Sequence, residues 1–158
     1  MSTKYLWIAL GVIAVGVAGF FGLRLLIDRI SPRPDNLGVT DGKLAPCPPY
    51  PACVNSQSDE VRHRIAPIAY DIPTNEAKAH IVEIVRGMER AAIITETATY
   101  VYAEFTTSGF RYTDDVEFFF DESAQVIHVR SSARVPYYDF QVNRNRVEAI
   151  RSAFNAQH

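Results

Sequence analysis

Between Val101 and Arg134 apolar and polar residues alternate in three successive runs: Val101-Tyr102-Ala103-Glu104-Phe105, Asp115-Val116-Glu117-Phe118 and Ile127-His128-Val129-Arg130. A repeat of two is the pattern of half-buried strands. The polar stretch Asp121-Glu122-Ser123-Ala124 separates the last two runs as a short hairpin loop. Closing that loop sets Phe120 opposite Gln125, and therefore Phe118 against Ile127, Glu117 against His128, Val116 against Val129 and Asp115 against Arg130. A second loop, Thr107-Ser108-Gly109-Phe110, sets Phe105 against Tyr112, Tyr102 against Asp115 and Val101 against Val116. Both hairpins turn Val101, Ala103, Phe105, Val116, Phe118, Phe120, Ile127 and Val129 to one face, and Tyr100, Tyr102, Glu104, Asp115, Glu117, His128 and Arg130 to the other. A slip of one residue would exchange the faces, so the apolar pattern favours this pairing. Asp114 falls on the apolar side near a strand end. A carboxylate there needs a partner or a shifted pKa, and Arg134 is the expected partner.

Ala66 to Ile72 alternates weakly and is a candidate first strand. Thr74 is expected to cap a helix that carries Glu76 in its first turn. Ala77, Ile81, Ile84, Val85 and Met88 form the apolar stripe of that helix, and Gly87 weakens its last turn. Ala91 to Glu96 reads as a strand leading into the meander. Beyond it, Pro136 to Asp139 is a loop and Asn143 caps a second helix from Arg144 to about Asn155. Val142 and Val147 are placed for a hydrophobic staple, and Val147, Ile150 and Phe154 make the buried stripe. Two amphipathic helices on one face of an antiparallel sheet make an α+β two-layer sandwich.

Tyr5 to Leu23 is an uncharged run of 19 residues between Lys4 and Arg24. As a helix it spans roughly 28 Å, close to the hydrocarbon thickness of a bilayer. A signal-peptide core is shorter, so the length favours a transmembrane anchor over a signal cleaved after Val17-Ala18-Gly19. Ala14, Ala18 and Gly22 recur at the four-residue spacing that lets membrane helices approach, although small residues are common in such helices. The chain then divides into an anchor with its flanks (1–30), a Pro- and Gly-containing linker (31–45) and the α+β domain (46–158). The membrane is one partner, through Tyr5 to Leu23. Another membrane protein or a second copy of the chain is a further candidate.

With 47% hydrophobic and 22% charged residues the 158-residue chain has a globular composition, and its net charge of −2 offers no electrostatic case for nucleic acid. The charges around the helix and the cysteines point in opposite directions. Arg24, Arg29 and Arg33 follow the helix while Lys4 precedes it, which taken alone places the domain in the cytoplasm. Cys47 and Cys53 are the only cysteines and flank Pro48-Pro49-Tyr50-Pro51-Ala52. That short, proline-stiffened loop suits a disulfide, and disulfides persist in oxidising compartments. A zinc site would need more ligands, and the spacing is not that of a redox Cys-x-x-Cys. The disulfide argument favours the exported, periplasmic side.

The polar sheet face collects carboxylates beside a histidine and an arginine: Asp115, Glu117, His128 and Arg130. Such a set could perform acid–base work or hold a metal, with His63 as a third ligand. The favoured reading is a solvated face with cross-strand pairs Asp115–Arg130 and Glu117–His128, which stabilise a sheet without any function. A second group, Arg130, Arg134, Arg144, Arg146 and Arg151 with Ser131 and Ser132, could grip a carboxylate or phosphate near the helix start at Asn143. The alternative is pairing with Asp114, Asp115, Asp139 and Glu148 inside the domain. No nucleophile elbow, phosphate-cradling glycine loop or His-Glu-x-x-His is present. No cofactor is called for.

Leu44-Ala45-Pro46-Cys47, Cys53-Val54 with Ser56-Gln57, Arg62-His63-Arg64-Ile65-Ala66-Pro67, Asp114-Asp115-Val116-Glu117-Phe118, Ile127-His128-Val129-Arg130-Ser131 and Asn143-Arg144 to Val147-Glu148-Ala149-Ile150-Arg151 occur in this order. As a set they resemble the family catalogued as domain of unknown function 1499, over nearly everything after the anchor. Asn55 stands where a serine is expected. The resemblance implies no activity to transfer. It does imply an exported or membrane-tethered protein. The expectation is a tethered, exported binding or assembly domain of unknown ligand, with ligand-binding candidates Asp115, Glu117, His128, Arg130, Arg134 and Arg144. The alternative is a hydrolase or other enzyme working from the Asp115, Glu117, His128 and Arg130 face.

Overall fold

A computed structural model describes residues 3–108, 112–135 and 140–157. Two compact units make up the chain, Met1–Pro32 and Arg33–His158. The first is helix α1, Thr3–Ile30, whose Thr3–Gly22 portion is long and apolar enough to cross a membrane. Residues 33–45, expected as a linker, fall in the second unit.

The second unit is built on a six-stranded antiparallel sheet. Its strands are β3 (Cys53–Asn55), β4 (Ile68–Ala69), β5 (Ala91–Glu96), β6 (Tyr100–Thr106), β7 (Thr113–Asp121) and β8 (Val126–Ala133). They lie in the order β3-β8-β7-β6-β5, and β4 pairs with the other end of β8. Helices α2 (Thr74–Gly87) and α3 (Val142–Asn155) cover one face. Every side chain expected on the apolar face is buried there, together with Ala77, Ile81, Val85, Val147, Ile150 and Phe154 of the helices. The α+β sandwich is therefore the fold. The Gly109-Phe110 part of the second hairpin loop and the Pro136 to Asp139 loop lie outside the described residues.

Both hairpins are displaced by two residues from the pairing expected. Phe118 faces Val129, Glu117 faces Arg130 and Asp115 faces Ser132. On the other side Tyr102 faces Glu117 and Phe105 faces Asp114. The cause in the first hairpin is Asp121. Its Oδ1 accepts hydrogen bonds from Ser123 N, Ser123 Oγ and Ala124 N at 2.9, 2.6 and 3.1 Å. With that carboxylate bracing the turn, Asp121 remains in the strand opposite Val126, and the loop becomes residues 122–125, with Gln125 in the left-handed region. An even shift leaves each side chain on its face, so the core survives while the cross-strand pairs change.

Two helix starts also differ from expectation. Pro73 occupies the N-cap of α2, its carbonyl accepting from Glu76 N and Ala77 N, while the Thr74 hydroxyl meets that of Tyr70 at 3.1 Å. Gln141, in the left-handed region, precedes α3. Asn143 lies buried within the first turn rather than at the cap, bonded to Ser131 Oγ and to the Ala52 carbonyl. Val142 is exposed and makes no staple.

The opposite face of the sheet is covered too. Strands β1 (Val39–Thr40) and β2 (Lys43–Leu44) form a small hairpin. It closes on Asp41-Gly42, both with positive φ, a sequence whose twist suits a two-residue turn. The strap of residues 33–50 crosses the sheet from β6 to β3. Arg33 binds Glu104 of β6, Gly38 N donates to Glu117 of β7 at 2.8 Å, and Cys47 is disulfide-bonded to Cys53 of β3.

Candidate functional site

The strap turns the polar face from a solvated surface into a buried charge layer. Tyr102, Asp115, Glu117 and Arg130 are each no more than 3% exposed. Arg130 Nη1 donates to Glu117 Oε2 at 2.8 Å, and Tyr100 donates its hydroxyl to Glu117 Oε1 at 2.8 Å. Arg134, just beyond β8, reaches Asp115 with Nε at 3.0 Å and Nη2 at 2.7 Å, and pairs through Nη2 with Glu104. Glu104 also receives Arg33 Nε at 2.8 Å. The Tyr102 hydroxyl lies 2.6 Å from Asp115 and 2.9 Å from Glu104, and accepts from Arg134 at 3.0 Å. Asp115, Glu117 and Glu104 are thus matched by Arg134, Arg130 and Arg33, which is what buried charge requires.

Ionisation follows from this packing. Burial first, then the neighbouring carboxylates, push the hydroxyls of Tyr100 and Tyr102 well above the usual tyrosine value, so both remain donors. Burial opposes ionisation of Glu104, but hydrogen bonds from Arg134, Arg33 and Tyr102 outweigh it and hold the carboxyl below its ordinary value. Arg134 is likewise raised by Asp115 and Glu104 against the cost of burial. Burial raises Tyr50 of the strap, Arg130 opposing and Asp115 adding to it.

The expected site residues separate into three places. Asp115, Glu117, Arg130 and Arg134 come together under the strap. The expected cross-strand pairs Asp115–Arg130 and Glu117–His128 are absent, because the two-residue shift gives Arg130 to Glu117 and places Phe119 opposite His128. The imidazole stacks on Phe119 with ring centroids 6.0 Å apart. Its neighbours are Ser56 Oγ, 3.3 Å from Nδ1, and Asp121 Oδ2, 3.9 Å from Nε2. Burial holds His128 below the ordinary histidine value, with Asp121 pulling the other way. Arg144 is elsewhere again, donating to the carbonyls of Arg62 and Arg64 at 3.3 and 2.8 Å.

The pairing of Asp114 with Arg134 is also overturned. Asp114 does point to the helix side, where Arg146 of α3 meets it at 2.6 Å while lying over the Phe105 ring at 4.7 Å. Arg134 follows the polar face and belongs to Asp115. Arg151 pairs with Glu148 and donates to the carbonyls of Pro67 and Ala66. The arginine group is therefore split across the two faces, and Asp139 lies outside the described residues. His63 is buried with Nδ1 2.9 Å from the Cys53 carbonyl and Nε2 3.7 Å from Glu60. Among the described residues no group of three or more His, Cys, Asp or Glu side chains is placed to hold a metal ion.

Arg33 and Asp121 are the participants that sequence reasoning left out of the site, while Arg146, expected in the arginine group, takes the internal pairing with Asp114. Asp121 carried a signal, since Asp-x-Ser in a hairpin loop favours a side-chain-braced turn. Arg146 is three residues beyond Asn143, on the same helix face, and its Nη1 bonds Asn143 Oδ1 at 2.8 Å. Beside the strap runs a groove of about 690 Å³ lined by Asp35, Leu37, Lys43, Leu44, Asn55 and Glu60, among others.

A comparison with curated proteins finds no match. The family model described as "Protein of unknown function (DUF1499)" matches residues 43–154, from β2 into α3, and the chain belongs to that family.

Proposed function

We propose that this protein is a membrane-tethered binding or assembly domain on the exported side of its membrane, whose polar sheet face is structural rather than catalytic. The observation that carries the reading is the commitment of the polar face. Asp115 and Glu117, the carboxylates that a hydrolase on this face would use, are already engaged by Arg134 and Arg130 beneath the strap. Freeing either would strand a buried charge, a cost of several kcal/mol. The groove between the strap and residues 55–60 is the better place for a ligand, because its walls are open and mixed in polarity. The apolar α1 supports tethering, and the Cys47–Cys53 bond supports an oxidising compartment.

The test combines location with activity. Protein taken from native membranes is alkylated before and after reduction, and protease access to the domain is compared in intact and permeabilised cells. The expected result is a protected disulfide and a domain reached only from the exported side. The purified full chain is then assayed for metal content and against a broad hydrolase panel. Stoichiometric metal or turnover lost in both Glu117→Gln and His128→Ala would overturn the structural reading of the polar face.

A further inference from the structure

Ser56 follows β3 and continues its pairing with β8. Its backbone N donates to the Val129 carbonyl at 2.9 Å, and its Oγ accepts from Val129 N at 2.9 Å. The side chain thus stands in for a strand carbonyl, which fixes the position of Oγ. His128 Nδ1 lies 3.3 Å from the same Oγ, and with the imidazole proton on Nε2 the hydroxyl donates to Nδ1. A neutral imidazole that accepts at Nδ1 carries its own proton on Nε2, and Nε2 faces Asp121 Oδ2 at 3.9 Å. Two contacts hold the arrangement. Phe119 stacks on the imidazole, and the turn amides grip Asp121 through Oδ1, leaving Oδ2 for the ring. Hydroxyl, imidazole and carboxylate in series are the parts of an activated nucleophile, recognised by geometry rather than by order in the chain.

We infer that Ser56 is an acyl-accepting nucleophile, with His128 as its base and Asp121 orienting that base, and that the site takes an activated carboxylic ester. Ser56 Oγ bonds to the ester carbonyl carbon as its proton passes to His128 Nδ1. The bond from that carbon to the leaving oxygen breaks, and the leaving alcohol takes the proton from the imidazolium. The products are an ester of Ser56 and the free alcohol, with no change of oxidation state. The nearest backbone donors are spent, since Gln57 N is bonded to Asn55 Oδ1 at 2.7 Å and Ser58 N to Asn55 O at 3.3 Å. Without such donors the tetrahedral oxyanion is poorly stabilised. Acylation by an activated ester tolerates this better than release does, because the Ser56 alkoxide is the poorer leaving group. The site is therefore suited to one acylation followed by slow hydrolysis by water. Asn55 and Gln57, on either side of Ser56, line the groove assigned to ligand binding.

The probe is p-nitrophenyl acetate with the full chain in detergent. The expected result is a burst of about one equivalent of p-nitrophenol, with the acetyl group mapped to Ser56 by mass spectrometry. Ser56→Ala removes the burst, but it also removes the acceptor for Val129 N and can unsettle the strand. His128→Gln leaves the bond between Ser56 and Val129 in place, and there the burst rate should fall by roughly 10²–10⁴. Asp121→Asn should slow it less. Acetylation elsewhere with Ser56 unlabelled, or a rate unchanged in folded His128→Gln, overturns the inference. Neither outcome bears on ligand binding in the groove.

Discussion

Arg134 grips Asp115 with two nitrogens, Nε at 3.0 Å and Nη2 at 2.7 Å, from a position just beyond the strand that neighbours β7. Asp115 is 1% exposed, and Arg134 also bonds Glu104, which it shares with Arg33. Removing Arg134 strands Asp115, while Glu104 keeps Arg33. Arg134→Ala should cost about 3–5 kcal/mol of stability, and adding Asp115→Asn should recover part of that loss. Urea unfolding of the solubilised chain, followed by near-ultraviolet circular dichroism, measures it. Strict additivity in the double mutant would show the two residues to be uncoupled.

Asp114 and Arg146 make the corresponding lock on the helix side. The same cycle on Asp114→Asn and Arg146→Ala should show coupling on the order of 1–3 kcal/mol. Asp114→Asn combined with Arg134→Ala should show much less, because the two side chains serve opposite faces. The reverse order of couplings is the outcome that rejects this assignment.

Acid should weaken the fold in two stages. His128 titrates below its ordinary value of 6.5 because of burial, against the pull of Asp121. The unfolded chain therefore takes up that proton first, and stability declines as pH falls below about 6.5 until the folded ring also protonates. Glu104 titrates below its ordinary 4.5 because its hydrogen bonds outweigh the cost of burial. Its contribution is present above 4.5 and is lost as pH falls through the folded value. Urea midpoints measured from pH 8 to 3 should lose the first stage in His128→Phe and shrink the second in Glu104→Gln. A first stage that persists in the histidine variant would contradict this account.

The disulfide ties the strap to the edge of the sheet across a sequence separation of 6. Chain entropy for so short a loop gives about 2 kcal/mol, less than a long crosslink would give. Cys47→Ser with Cys53→Ser should lower stability by about that amount. The strap should become the first segment to exchange its amide hydrogens, with the Gly38 amide, which donates to Glu117, as reporter. Equal protection of Gly38 in both forms would mean that the charge layer alone retains the strap.

Much of the architecture was legible in particular residues. Alternation in Val101-Tyr102-Ala103 and Ile127-His128-Val129 marks the strands, and the stripes of Ala77, Ile81 and Val85 and of Val147, Ile150 and Phe154 mark the helices that cover them. These signals depend on local geometry alone. The pairing of Cys47 with Cys53 follows from two cysteines held close by a short loop. The hairpin at Asp41-Gly42 carried its own turn signal, although it stands in a stretch that otherwise reads as a linker.

By itself, then, the chain determined which side chains share a face, because a strand repeats every two residues and the displacement of each hairpin was also two. Tertiary structure decided which of them meet. Register depends on how a turn closes, and the Asp121 carboxylate moved Arg130 from Asp115 to Glu117 and His128 from Glu117 to Phe119. It also decided that the polar face is buried. A strand alternating polar and apolar residues reads the same whether water or a strap lies over its polar side. The strap, rich in proline and glycine, has no periodicity to announce where it will lie. Only the folded chain brings Arg33 to Glu104 and Gly38 to Glu117, and so makes a closed charge layer of what the sequence shows as separate ions.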